Sequence, residues 1–194
     1  MPRASKEQST RNHARIEETA SRLFRERGVN GISVADLMQA AGLTHGGFYG
    51  HFASKDELVA AACTHAFAQS IERWQSRIQK KPAGTKALHA LVDPYLTPRM
   101  VDQVGNGCPA VALAADVIRE PLEKPVRTAY LEGSKDLIDL LTSASTIRDA
   151  DKRRKKALVQ WSTMVGALLL ARATQGDDLS DEILSAVREQ LLAE

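Results

Sequence analysis

The side chains best suited to chemistry lie between positions 33 and 55. Thr44, His45, Tyr49 and Lys55 carry hydroxyl, imidazole, phenol and ammonium groups, with adjacent glycines at Gly46 and Gly47. This set suits contact with phosphate oxygens and base edges rather than bond-making. Each glycine costs a helix roughly 1 kcal/mol relative to alanine. Such a cost makes sense where the backbone must come close to another surface, here a phosphate strand or base edges. A glycine-rich corner with Tyr49 as an ordinary surface residue is the plainer alternative.

Catalytic chemistry finds no comparable set. His45 and His51 are six apart, off one helical face, a poor spacing for metal ligands. Gly84-Thr85-Lys86 lacks the glycine spacing of a phosphate-binding loop and any strand before it. The glycines of residues 46–50 follow a helix, which leaves a dinucleotide site unsupported. Two cysteines, Cys63 and Cys108, lack the paired spacing of a disulfide framework or zinc site. We therefore expect no metal, no cofactor and no enzymatic activity. An enzyme using Cys108 as nucleophile would need a histidine partner, and none can be assigned nearby.

The elements that must position these groups are helices. The 28 Ala and 21 Leu outweigh 12 Val and favour helix over strand. Ile16, Ala20, Leu23 and Phe24 form one apolar stripe, closed by Arg25, Arg27 and the stop Gly28. Ser33 precedes Asp36 by three residues, a capping-box-like start for a helix bearing Val34, Leu37, Met38 and Ala41. Gly42 ends that helix, and Thr44 is expected to cap a third helix reaching about Phe52. On it Phe48 and Phe52 point inward, while Tyr49 points outward with Thr44 and His45. A short helix, the Gly42-Leu43-Thr44 break and a second short helix have the spacing of a helix-turn-helix.

Ser54 and Glu57 open a long fourth helix whose core face is Leu58, Ala62, Phe67, Ile71, Trp74 and Ile78. A break follows over Lys80-Lys81-Pro82-Ala83-Gly84. The next helix carries Leu88, Leu91, Val92 and Tyr95, with Pro94 and Pro98 at its disturbed end. Cys108-Pro109 starts an alanine-rich helix to about Arg119, and another runs from near Pro121 to Ala144. The last two span about 152–174 and 179–192. No alternating strand is present, so the fold class is all-α.

The run from Ser33 to Leu58, above all Gly47-Phe-Tyr-Gly-His-Phe-Ala-Ser-Lys-Asp-Glu-Leu58, resembles the DNA-binding domain of the TetR family of transcriptional regulators. The likeness covers about residues 10–60. It implies an N-terminal helix-turn-helix domain (1–56) and a C-terminal helical ligand-sensing and dimerisation domain (57–194). By position it implies operator contacts from Thr44, Gly46, Tyr49 and His51, a backbone contact from Lys55 and a phosphate contact from Ser33. His45 falls where members of the family vary, and we expect it to help read sequence. Gly50 replaces a bulkier residue common in the family, so a base contact is missing there.

The remaining 138 positions should sense an effector and pair two chains. Trp161, Met164, Val165, Leu168 and Leu169, with Ile183, Val187 and Leu191, are expected to build a homodimer through about 152–174 and 179–192. The same faces would also serve as the chain's own core. Phe67, Trp74, Tyr95, Met100, Val111, Tyr130 and Met164 are candidate ligand-pocket residues, an apolar set with a few polar tips. Cys108 joins them, because a helix N-terminus stabilises a thiolate. Gly107-Cys108-Pro109 before an alanine-rich helix is similar to an electrophile- and oxidant-responsive branch of the family. A small buried packing cysteine is the alternative, and it is the expectation for Cys63.

Charge agrees with this division. The net +2 lies wholly in residues 1–56, with eight Lys or Arg against six Asp or Glu. Before Glu17, Arg3, Lys6, Arg11 and Arg15 face only Glu7, which suits an acidic polymer and equally a solvated tail. Lys152-Arg153-Arg154-Lys155-Lys156 is expected to be a solvated helix start. The longest apolar run, Met164 to Ala171, is far short of the roughly 20 residues that cross a membrane. A polar N-terminus and this short run predict a cytoplasmic protein. The expected function is a ligand-responsive repressor that binds a palindromic double-stranded operator as a homodimer and is released by a small apolar or electrophilic effector. A small-molecule-binding helical protein with a vestigial DNA-binding domain is the alternative.

Overall fold

The structure, a computed structural model, describes residues 6–81 and 86–193. Arg3 of the basic arm, Pro82-Ala83-Gly84 of the expected break and the Gly84-Thr85 pair lie outside the described residues.

Helix α1 spans Lys6–Arg27 and buries Ile16, Ala20, Leu23 and Phe24, the stripe expected from its spacing. Gly28 ends it in the left-handed region at φ 76. Helix α2 spans Val34–Ala40, and the Ser33 hydroxyl accepts the Asp36 N–H at 3.1 Å. The next element, His45–Gly50, is a 3-10 helix rather than the α-helix expected to reach Phe52. Three glycines within six residues withdraw the support a regular α-turn needs, and the tighter winding results. Thr44 occupies the N-cap position with extended backbone, yet its side chain makes no capping bond.

Helix α3, Lys55–Lys80, is opened by a reciprocal pair of bonds. The Ser54 hydroxyl accepts the Glu57 N–H at 3.1 Å, and the Glu57 carboxylate accepts the Ala53 N–H at 2.6 Å. One helix thus runs through the expected division at 56/57. Helix α4 is Ala87–Tyr95, and a five-residue helix α5, Pro98–Asp102, follows where no helix was expected. Helix α6 is Pro109–Arg119, with Cys108 at its N-cap. Helix α7 covers Pro125–Ala144, starting four residues later than the expected Pro121. Residues 121–124 instead form a turn closed by Lys124 N–H on the Pro121 carbonyl at 3.1 Å, and Pro125 takes the first helical turn. Helices α8, Ala150–Ala173, and α9, Asp178–Leu192, finish the chain.

α3 is the spine, lying against α1 on one side and α7 on the other. Gly133 permits the α3–α7 approach, since a Cβ there would sit 2.2 Å from the Phe67 ring. Phe24, Phe48, Leu58, Phe67, Leu91, Leu137, Met164 and Leu168 are fully buried in one continuous core. No helix among the described residues is long and apolar enough to cross a membrane.

Helix α8 is apolar on two faces. Ala157, Met164, Ala167, Leu168 and Ala171 face the chain's own core, while Leu158, Val159, Leu169 and Leu170 are exposed on the other side. Met164 and Leu168, expected on a dimer surface, therefore belong to the interior of one chain. Trp161, Val165, Ile183 and Val187 are half-buried against the same core, and Leu191 is buried. Periodicity marks an apolar face but not which of two neighbours covers it. The basic run at the start of α8 ties helices together: Arg154 pairs with Asp139, and Arg153 donates to the Ile147 carbonyl at 3.4 Å.

Candidate nucleic-acid interface and effector pocket

The turn before the 3-10 helix has a specific backbone requirement. Gly42 sits at φ 65, a conformation that side-chain-bearing residues rarely adopt. Its carbonyl accepts from Arg15 of α1 at 3.2 Å, and the Leu43 N–H returns to the Met38 carbonyl at 2.8 Å. Leu43 packs partly into the core, as the turn requires. Phe48 and Phe52 are buried with ring centroids 6.0 Å apart and anchor the 3-10 helix from below.

Thr44, His45, Gly46 and Tyr49 are left facing outward, Tyr49 at 71% exposure. At three residues per turn, Gly46 lies one turn below Tyr49, so bare backbone and phenol form one surface. A Cβ at Gly46 or Gly50 would meet nothing within 4 Å, and neither glycine has a positive φ. Nothing inside the chain asks for glycine at these two positions.

Three further candidates are differently placed. Ser33 is exposed, but its hydroxyl is engaged with Asp36, accepting from the N–H and donating to the carboxylate at 2.6 Å. The Lys55 ammonium donates to the Ile32 carbonyl at 2.9 Å, which fixes it at the join between α2 and α3. His51 is half-buried beside His13 of α1, ring centroids 6.2 Å apart, and His13 stacks on Phe52 at 4.4 Å. Burial, then the neighbouring His13, hold the His51 imidazole below its ordinary value of 6.5. Ser9, Thr10, His13, Gly50 and His51 line a groove of about 250 Å³ beside the 3-10 helix. Spacing could not have revealed His13 as part of this surface, because it comes from another helix 38 residues away.

The expected pocket residues separate into two groups. Trp74, Tyr95, Met100 and Cys108 line one void with Ser70, Arg73, Arg77, Gly107 and Leu137. Its volume is about 10 Å³, room for one water. Phe67, Val111, Tyr130 and Met164 do not line it. Phe67 and Tyr130 pack edge to face at 5.4 Å, and the Tyr130 hydroxyl donates to the Ala110 carbonyl at 2.8 Å. A larger cavity of about 150 Å³, unsuspected from sequence, opens between α4, α7 and α8 beside Leu88, Leu141, Ile147 and Gln160.

Two connections join this region to the helix-turn-helix unit. Arg25, in the last turn of α1, donates to the Gly107 carbonyl at 3.1 Å, and Asp116 of α6 accepts the Val29 N–H at 3.1 Å. The cysteines differ in setting. Burial pushes the Cys63 thiol up to about 12, in keeping with a packing role. Cys108, 6% exposed, stands at the head of α6 with Arg25, Arg73 and Arg172 around it.

A capped helix, a glycine turn and a polar, unpacked 3-10 helix together have the arrangement of a helix-turn-helix. Residues 16–62 match the family model of bacterial regulatory proteins, tetR family. An uncharacterised HTH-type transcriptional regulator of Mycobacterium tuberculosis is 27% identical over 186 residues, 93% of this chain and 94% of that protein. The HTH-type transcriptional repressor NemR of Escherichia coli is 24% identical over 190 residues, 94% of each. Its reduced form in the crystal superposes with a TM-score of 0.76 over 93% of this chain and 95% of that one, at 22% identity. A TetR-family regulator from Cytophaga hutchinsonii superposes with a TM-score of 0.79, 22% identical, over 99% of this chain and 97% of that one. Residues 16–62 thus carry the N-terminal unit of the tetR family of bacterial regulatory proteins, and the whole chain shares the fold of the solved members named above. These relatives are regulators, not enzymes.

Proposed function

We propose that the chain is a cytoplasmic repressor that binds a palindromic operator as a homodimer and leaves it when an effector occupies the C-terminal region. The outward set Thr44, His45, Gly46 and Tyr49 carries this reading. Glycine at 46 has no internal steric or conformational reason, which leaves close approach to a duplex as its use. His51 and Lys55 flank the set as phosphate contacts, and Ser33 adds one at the start of α2.

Dimerisation through 152–174 and 179–192 is supported by the second apolar face of α8. A helix apolar on both sides is covered on both sides. The covering residues are Leu158, Val159, Leu169 and Leu170 rather than Met164 and Leu168. Ser162 and Gly166 between them permit close helix approach.

Effector coupling rests on α3 and on Arg25. Trp74 lies at the small void, Leu58 lies under the DNA-facing unit, and both belong to one rigid helix. An effector that binds better at one separation of the two reading helices shifts the dimer toward it. NemR, a repressor crystallised in a reduced form, favours Cys108 as an electrophile-responsive thiol in this chain. Recovery of operator from a pool of genomic fragments, followed by release on alkylation, tests the reading. A Cys108→Ser variant that keeps the full response to every inducing reagent sinks the thiol role. A protein that selects no fragment sinks the regulator role.

A further inference from the structure

Arg73 and Arg77 line the void beside Tyr95, while Arg172 and Arg25 reach its wall at the Met100 and Gly107 carbonyls. No carboxylate among the described residues lies within ion-pair distance of Arg25, Arg73, Arg77 or Arg172. Their hydrogen bonds go to neutral acceptors. Arg73 donates to the Ser70 hydroxyl at 2.8 Å, and Arg172 donates to the Met100 carbonyl at 3.0 Å. Arg25 donates to the Ser21 carbonyl and hydroxyl, the Gly107 carbonyl and the Gln69 amide oxygen. A guanidinium has five N–H groups, so Arg73 and Arg172 keep donors to spare. The Arg172 Nε is buried with no partner.

Burial holds these guanidiniums below their ordinary value, and repulsion from Arg73 adds to it for Arg25 and Arg77. Arg25 falls to about 10, with burial first and Arg73 second among the causes. Arginine stays cationic near neutral pH, and the carboxylates that act on this group, Glu26 on Arg25 and Glu72 on Arg73, do so from beyond ion-pair distance. Tyr95 adds a second, independent sign. It is 97% buried, lines the same void, and its hydroxyl faces the Cys108 thiol without a hydrogen bond of ordinary geometry.

We propose that Arg73, Arg77 and Arg172, with the Tyr95 hydroxyl, form an anion site, and that the effector is an organic oxyanion on an aromatic or alkyl body. The inference rests on the reading of this region as the effector pocket and names the class of compound it takes. Carboxylate, phosphate and sulfonate share the chemistry that guanidinium recognises. Trp74 and Tyr95, edge to face at 6.2 Å, with Met100 and Leu137, supply the apolar wall for the body.

A void of about 10 Å³ does not hold such a molecule as it stands. The wall that yields is α5 with the loop 103–107. It is tied to α8 through Arg172 on the Met100 carbonyl and to the turn after α8 through Gln175 Nε2 on Asp102 at 2.8 Å. An oxyanion draws Arg172 from Met100 and competes with the Gly107 carbonyl for Arg25. Because Arg25 belongs to the last turn of α1, the DNA-facing unit responds.

Calorimetry on the full chain without DNA tests this, with benzoate, phenyl phosphate and inorganic phosphate as anions and benzyl alcohol as the neutral control. Saturable binding of at least one anion is expected, at least tenfold weaker in Arg73→Met and in Tyr95→Phe. The proposal is overturned if no anion binds saturably, if Arg73→Met binds equally well, or if benzyl alcohol binds as tightly as benzoate. An anion that binds without releasing operator DNA leaves the site standing and removes its effector role. Failure to bind DNA at all refutes the regulator reading instead.

Discussion

Replacing Gly46 by alanine separates two demands that usually coincide. The new Cβ meets nothing within 4 Å, and the backbone there has no positive φ. Alanine is favoured over glycine by about 0.5–1 kcal/mol where the native conformation accepts it, through helix propensity and a less disordered unfolded chain. For a chain of this size that raises Tm by about 1–4 °C. Operator binding should move the other way. If the Gly46 backbone approaches a duplex, the added methyl disrupts contacts worth about 1–3 kcal/mol per protomer. Two protomers double this, so affinity falls by roughly thirtyfold or more. Thermal melts and fluorescence anisotropy on a selected operator fragment report the two effects. A higher Tm with affinity unchanged within twofold would refute close approach as the reason for this glycine. A lower Tm would show that the space above it is not open.

Tyr49→Ala should leave Tm nearly unchanged, because the ring is largely exposed, and weaken operator binding by about tenfold or more in the same assay. Leu169→Glu with Leu170→Glu places charges on the uncovered face of α8 and should yield a folded monomer by light scattering; a persistent dimer would move the interface elsewhere. His51, held below 6.5, binds fewer protons in the folded chain than when unfolded. Folding stability should therefore decline as pH falls through 6.5 and level off below the native value, and His51→Gln should remove that share of the decline in denaturant titrations. A phosphate beside His51 favours its charged form, so operator affinity should rise a few-fold between pH 8 and 6, and the same variant should flatten the profile.

Local chemistry made most of the fold legible. Ser33 and Ser54 cap the helices they were expected to cap, Gly42 turns the chain as required, and the α1 stripe is buried as its spacing dictates. These features depend on residues three or four apart, which a sequence displays directly. The differences arise where a second element intervenes. The 3-10 helix at 45–50 reflects three glycines whose combined effect exceeds the capping position of Thr44. Met164 and Leu168 face α8's own neighbours because periodicity fixes a face without naming its partner. The arginines at and beside the Tyr95 void draw on α1, α3 and α8, at positions 25, 73, 77 and 172, and no motif connects them. Lys55 and Ser33 were legible as polar groups at the starts of their helices, whereas the Lys55 bond to Ile32 emerges only from packing.

The central claim is that two paired chains present residues 33–52 to a duplex. Its most direct test is to titrate purified protein against a fragment of its own promoter region across salt concentrations, with the mass of the complex determined in parallel. The account predicts paired chains on each duplex and a log–log salt slope of about −4 or steeper, from several phosphate contacts per dimer. A well-folded monomer that ignores the duplex even at low ionic strength would contradict it.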